Sequence, residues 1–469
     1  MAPFVVLGGG PCGLSAAWTL AQQGERVVVI EQEPLVGGLC ATHEQQGYRF
    51  DLGGHRFVSG DLALTRWLES LLGDELLTRQ RRSVVLHEGR RFHYPLEARD
   101  LLQNLGLREN ARALLGYAVA RARQELHPRP DVTFEDWVTT RFGRPLYDAF
   151  FGPYTAKLWG IAPHRISADW AAERISLLHL GDALRRLLPG GAAPIRTYAR
   201  EYRYPRLGMG QLYDVIAKDI VRLGGEVRTG ATVSRLETSG GRVTAAWIRS
   251  SEGETRIPTV GIVSTIPLPE LVAHLSARAP SAPARALRFR SLVFLNLLLD
   301  IPSVSDSTWM YVASGRFRVS RIQEPNKRSP FMAPVGKTSL MLEIPCDEGD
   351  ALWTATVPAL RDMGLAELRD LGVVTGPVKG AFSVRVRHGY PIYHLGYERD
   401  RQALLGEVAR FSNVRTAGRQ GLFRYVFMDA AMQMGALAAE QLRAGLGSPR
   451  HIDAIGRSAR VVETTALTA

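Results

Sequence analysis

The chain has 469 residues, 45% apolar and 22% charged, with a net charge of +12. That length suits two or three structural units, and the balance excludes wholesale disorder. The longest apolar run, "SLVFLNLLLDIP" (Ser291 to Pro302), is too short to span a bilayer and predicts a buried strand instead.

The N-terminus, "FVVLGGGPCG", has no charged leader or small-residue cleavage site and reads as a strand entering a turn, so cytoplasmic residence is expected. Cys12, Cys40 and Cys346 are few and widely spaced, which suits free thiols and gives no metal-ligand spacing. Lysine is scarce and arginine is spread along the chain, so the positive charge points to composition or anionic small ligands ahead of nucleic acid.

The first elements are a strand "FVVL", a turn "GGGPCG", a helix "LSAAWTLAQQG" and a second strand "RVVVIE". This is a βαβ unit. Gly8, Gly10 and Gly13 fit G-x-G-x-x-G: the first turns the chain, the second admits a pyrophosphate, and the third packs helix on strand. Glu31 ends the second strand, where a carboxylate can hold a ribose hydroxyl pair. A dinucleotide is therefore expected. Gly37 and Gly38 follow in an arrangement that resembles the FAD-binding members of the amine oxidase superfamily, a resemblance that implies FAD over NAD. "FDLGGHRF" offers Gly53 and Gly54, which would let backbone lie against a flat ring.

From Asp61 to Leu178 apolar residues recur at helical spacing, which predicts a bundle. Tyr204 to Val272 reads as turn, helix and strands returning to the dinucleotide domain, with Val227 in a strand beside the cofactor. Arg288 to Arg387 alternates as a mainly antiparallel sheet, and Asn413 to Leu442 supplies a strand, a glycine-bearing loop and a last helix pointing its N-terminus at the flavin. The fold expected is α/β: a discontinuous Rossmann-like FAD-binding domain (1–75, 201–284, 405–447), a helical insertion (76–200), an antiparallel-sheet substrate domain (285–404) and a disordered tail (448–469).

The motifs "GGHRF", "RRFHYPL", "YTAKLWGIAPHRISADWAAERI", "YPRLGMG", "SRIQ", "YPIY" and "GRQGLFRY" resemble, in order, those of UDP-galactopyranose mutases and their FAD-dependent oxidoreductase relatives in the amine oxidase superfamily. The likeness runs from about Pro3 to Leu446. It implies chemistry at flavin N5 on a nucleotide-activated sugar, redox-neutral or oxidative. By that resemblance His55 sets its backbone against the flavin, and Arg290 and Arg419 are active-site arginines. Tyr390, Tyr425 and Arg174 hold the diphosphate, Tyr154 and Trp159 form the nucleobase region, and Gly418, Asp429 and Met432 join the cofactor set. Arg321 in "SRIQEPNKRSP" faces either the site or a surface loop.

The chain also departs from the family pattern. Asp300 ends a strand where an acid facing the site would repel a diphosphate, and Gln420, Phe423, Val426 and Phe427 are less polar than the pattern. Those replacements favour an alternative, an FAD-dependent oxidase or desaturase of an amine, polyene or porphyrinogen-like substrate. A nucleic-acid-binding flavoprotein is motivated by the charge alone. A small-molecule substrate is the expected partner, with a homodimer left open.

Overall fold

The computed structural model describes residues 2–94, 103–174, 201–276, 280–445 and 449–458. A five-stranded parallel sheet carries Val414–Thr416, Gly261–Ser264, Phe4–Leu7, Val27–Ile30 and Glu226–Arg228 in that order. Three distant stretches of chain therefore build one sheet. Its central strands are buried on both faces, which is why they read as unbroken Val and Ile runs.

Helix Pro11–Gln22 follows the first strand, with Pro11 in its first turn where a missing N–H costs nothing. It packs against helix Met428–Arg443. A Cβ on Gly435 of the second helix would stand 2.0 Å from the Cys12 carbonyl oxygen, so glycine is what permits the approach.

A seven-stranded sheet forms the second layer, in the order Val378–Pro391, Phe289–Leu299, Thr338–Cys346, Arg321–Gln323, Trp309–Val312, Ser83–His87 and Arg90–His93. All its pairings are antiparallel except that of Trp309–Val312 with Ser83–His87. The run anticipated as a buried strand is Phe289–Leu299, at the heart of this layer.

Helices Leu107–Leu126, Phe134–Phe142, Gly152–Trp159 and Ala168–Arg174 make the insertion. Its first part is not helical as expected. Leu76–Gln80 pairs with Glu201–Pro205, and Ser83–His87 and Arg90–His93 form a hairpin that joins the large sheet. Glu88 (φ 48°) and Gly89 (φ 74°) supply the two left-handed residues of its turn, a local signal outweighed in the sequence by the apolar spacing around it. The stretch "PGGAAP" (Pro189 to Pro194), whose composition predicts a loop, lies outside the described residues.

The tail also differs from expectation. Pro449–Ser458 is a helix with Ile452 fully buried, packed on Met428–Arg443. Among the described residues no helix is long and apolar enough to cross a membrane.

Candidate active site

The site lies between the two sheets, in a cavity of about 760 Å³. Gly8 leaves the first strand at φ 101°, where a Cβ would meet Thr265 Oγ1 at 2.3 Å, and its amide donates to the Ile30 carbonyl at 2.8 Å. Gly13 lies behind the wall. A Cβ there would stand 1.9 Å from the Gly8 carbonyl oxygen, so it closes helix onto strand. Glu31 accepts from the Gly9 amide at 2.6 Å and the Glu33 amide at 2.9 Å. Burial pushes its carboxyl up, and the amides pull it back in part. Gly10 and Gly38 line the cavity, while Gly37 (φ 100°) ties back through its amide to the Gly9 carbonyl at 2.8 Å.

The N-termini of helices Pro11–Gln22 and Met428–Arg443 both open on this wall, through Pro11, Cys12, Met428 and Asp429. Unpaired N–H groups at such ends favour negative charge. Val227 and Met432 take different places from those expected. Val227 pairs with Val29 inside the sheet, leaving Ala231, Thr232 and Val233 on the wall, and Met432 is fully buried with its carbonyl accepting from Ser15 Oγ at 2.8 Å.

Gly53 (φ 121°), Gly54 and His55 follow the hairpin strand Tyr48–Asp51 and line the cavity. A Cβ on Gly54 would approach Arg321 Nη1 at 3.1 Å, so the glycine leaves room for that guanidinium. Beneath them runs a buried network absent from the sequence reading. Arg328, 1% exposed, donates from Nη1 to the Gly53 carbonyl at 3.3 Å and lies 3.6 Å from Asp51, while its Nη2 bonds Gln323. Asp51 also accepts from Thr42 Oγ1 at 2.6 Å, the Met209 amide at 3.0 Å and the Tyr204 hydroxyl. Asp51 lies in "FDLGGHRF" and Arg328 in "SRIQEPNKRSP", and nothing local in either stretch announces their meeting.

His55 is held neutral: burial, then the charges of Arg419, Arg328 and Arg321, push its pKa down to about 3. Its Nδ1 is buried with no hydrogen-bond partner among the described residues. An orphaned ring nitrogen beside glycine backbone, two helix N-termini and the Glu31 carboxylate together fit FAD, in a volume typical of cofactor sites, roughly 300–1,000 Å³.

Opposite stand Arg419, Gln420, Tyr425, Val426 and Phe427, all on the wall, with Gly418 (φ 81°) starting their turn. The Arg419 guanidinium lies 4.2 Å over the Tyr425 ring and donates to the Val426 carbonyl at 2.9 Å and the Gly389 carbonyl at 3.5 Å. Tyr425 stacks on Tyr390 at 5.8 Å, its amide donates to Tyr393 Oη at 2.8 Å, and its ring meets Trp170 edge-on at 5.4 Å. Trp170, within the motif that carries Trp159, went unnoticed in the sequence. Tyr390 donates to Glu343 Oε1 at 2.9 Å, and Arg321 stands 3.5 Å from Glu343 Oε2. Arg321 therefore faces the cavity and not a surface loop.

Three expected residues lie elsewhere. Arg290 is a buried staple, 2.6 Å from Asp347 and donating to the Leu158 carbonyl at 3.2 Å, in space left by Gly160. Trp159 is 1% exposed behind the wall, edge-on to Trp170 at 4.5 Å and tilted to Tyr390 at 5.8 Å. Tyr154 packs edge-on to Tyr311 at 6.3 Å, and burial raises its phenol. Arg174 ends helix Ala168–Arg174, with its side chain outside the described residues. Asp300 does not face the site, because Lys379 at 3.1 Å and Lys337 at 3.4 Å hold it.

Residues 11–443 match the model of the flavin-containing amine oxidoreductases. The chain belongs to that family. FAD is its cofactor and it is an enzyme, an FAD-dependent oxidoreductase of the amine oxidase superfamily. Among curated members, phytoene dehydrogenase of Streptomyces griseus is 28% identical over 405 residues, 78% of each chain. Protoporphyrinogen oxidase 1 (chloroplastic) of Spinacia oleracea is 24% identical over 287 residues, covering 56% of this chain and 50% of its own. Reduced UDP-galactopyranose mutase shares the fold with a TM-score of 0.82 over 100% of both chains, at 21% identity.

Proposed function

We propose that this amine oxidase-superfamily enzyme acts on a nucleotide-activated sugar, with Arg419 as the diphosphate anchor. One observation carries the reading. Arg419 bonds carbonyl oxygens, lies over the Tyr425 ring and has no carboxylate in ion-pair contact among the described residues. On the same wall Arg387 faces Glu348 at 3.1 Å and Arg321 faces Glu343 at 3.5 Å, and Arg385 is taken up by the Trp353 and Ala355 carbonyls at 2.6 Å each. A guanidinium on a cavity wall without a counter-charge suits an anionic ligand.

Bound flavin supplies a two-electron centre or, when reduced, a nucleophilic ring nitrogen. The chain does the rest. The Gly53–His55 backbone offers a flat seat, steadied by Arg328 at the Gly53 carbonyl. Neutral His55 presents an uncharged ring and so adds no cation beside the seat. Arg419 offsets negative charge developing on a departing diphosphate, and the stacked Tyr390 and Tyr425 rings form an aromatic wall that keeps water away. Each charge-assisted bond is worth about 1.5–3 kcal/mol, enough to orient the substrate.

A second reading, oxidation or desaturation of a polyene or porphyrinogen-like compound, is favoured by the apolar wall residues Leu292, Val384, Val386, Val426 and Phe427 and by the curated relatives. One experiment separates them. The FAD-loaded protein is incubated with nucleotide sugars, a polyene and a porphyrinogen, once reduced by dithionite and once in air, and products are read by mass. A nucleotide-sugar product of unchanged mass under reduction, or an oxidised nucleotide sugar in air, supports the proposal. Turnover confined to the polyene or porphyrinogen, two hydrogens lighter, contradicts it.

A further inference from the structure

The Arg419–Phe427 wall segment contains a residue that should not be there unaided. Phe423 is fully buried at φ 46°, in the left-handed region that a bulky aromatic rarely adopts. Such a conformation persists only where the surroundings over-determine it. On its outer side lies the helix Pro449–Ser458. Asp453 of that helix, 5% exposed, accepts from Arg401 Nη1 and Nη2 at 3.0 Å each, from Arg424 Nε at 3.0 Å and from Arg457 Nε at 2.9 Å. Arg401 in turn donates to the Leu422 carbonyl at 3.3 Å, and Glu398 closes the network on Arg401 and Arg457. The flanks of Phe423, Leu422 and Arg424, are thus tied to a single carboxylate.

Shape agrees with charge. A Cβ on Gly456 would stand 2.7 Å from Arg424 Cδ, 2.6 Å from Met434 Cε and 3.3 Å from Val426 Cγ1, so glycine lets the helix touch the wall segment directly.

We infer that the C-terminal helix is a clamp on the substrate wall and that Asp453 is a positioning residue, acting through Arg401 and Arg424 to hold Tyr425 and Arg419 in register. The inference concerns the same pocket as the proposed function and rests on it only for the identity of the ligand. A buried carboxylate shared by guanidinium groups resists removal of any one partner, because the rest would be left uncompensated. Loosening the clamp would free the wall locally without touching the parallel sheet or the cofactor's glycine turn.

Hydrogen exchange followed by mass spectrometry on the FAD-loaded full chain tests this, with Asp453→Asn, Asp453→Glu and Gly456→Ala beside the native protein and UDP affinity read in parallel. Gly456→Ala disturbs the contact while leaving every charge in place, so it still decides if Asp453→Asn fails to fold. Expected is exchange at least about tenfold faster in both the helix and residues 419–428, unchanged exchange in Phe4–Leu7 and Val27–Ile30, weaker UDP binding with FAD content retained, and partial rescue by glutamate. Faster exchange in the helix alone, with 419–428 unchanged, would overturn the clamp, as would uniform loosening of the whole chain by Gly456→Ala. A native protein blind to UDP would count against the proposed ligand, while the exchange pattern would still judge the clamp.

Discussion

At the scale of single residues, His55 illustrates how burial and like charge act together. Its imidazole stays neutral down to about pH 3 in the folded chain, whereas an unfolded histidine takes up a proton near pH 6.5. The folded-state pKa is lowered, so the unfolded state binds more protons between those values, and stability falls as pH drops from about 6.5 toward 3. We expect His55→Gln to remove up to one proton from that slope, about 1.4 kcal/mol per pH unit, in urea unfolding followed by circular dichroism. An unchanged slope would place the ring in water. Much of the glycine set was readable because each residue answers a local demand within one βαβ unit: Gly8 turns the chain and Gly13 meets the Gly8 carbonyl. The Asp51–Arg328 pair was not readable, since its members are far apart in sequence and meet only when the two sheets close. Arg290 misled for the converse reason: its motif is local, but its direction was set by Gly160 and Asp347.

At the scale of elements, the crossing of helices Pro11–Gln22 and Met428–Arg443 links the dinucleotide turn to the end of the chain. A methyl group on Gly435 has no room beside the Cys12 carbonyl. Gly435→Ala should therefore cost about 1–3 kcal/mol in denaturant unfolding and loosen FAD retention, since both helices present their N-termini to the cavity. Retained stability and cofactor would show that the crossing gives way easily. Long elements such as Phe289–Leu299 and Met428–Arg443 were legible because their burial is written in the sequence, as an apolar run in the first and at helical spacing in the second. The hairpin around Glu88 and Gly89 and the helix Pro449–Ser458 were not. The first is a short signal inside a helical stretch, and the second is a short, mostly polar helix that brings only Ile452 and Ile455 to the core and is held by arginines from other elements.

At the scale of the whole molecule, a parallel sheet gathered from three stretches of chain presents glycine backbone and two helix N-termini, and a seven-stranded sheet closes over it with arginine and tyrosine. The family's two-electron chemistry is thereby joined to a wall on which Arg419 bonds carbonyl oxygens, the residue that the proposed function takes as the anchor of an anionic ligand. The most direct test is a titration of the FAD-loaded protein with UDP, followed by the flavin visible spectrum, in the native chain and in Arg419→Ala. A saturable spectral change is predicted for the native chain, with affinity roughly ten- to a hundredfold weaker in the variant at equal FAD content, as loss of one charge-assisted contact requires. No spectral change in the native protein, or the same affinity in both, would contradict an anion-binding pocket at the flavin.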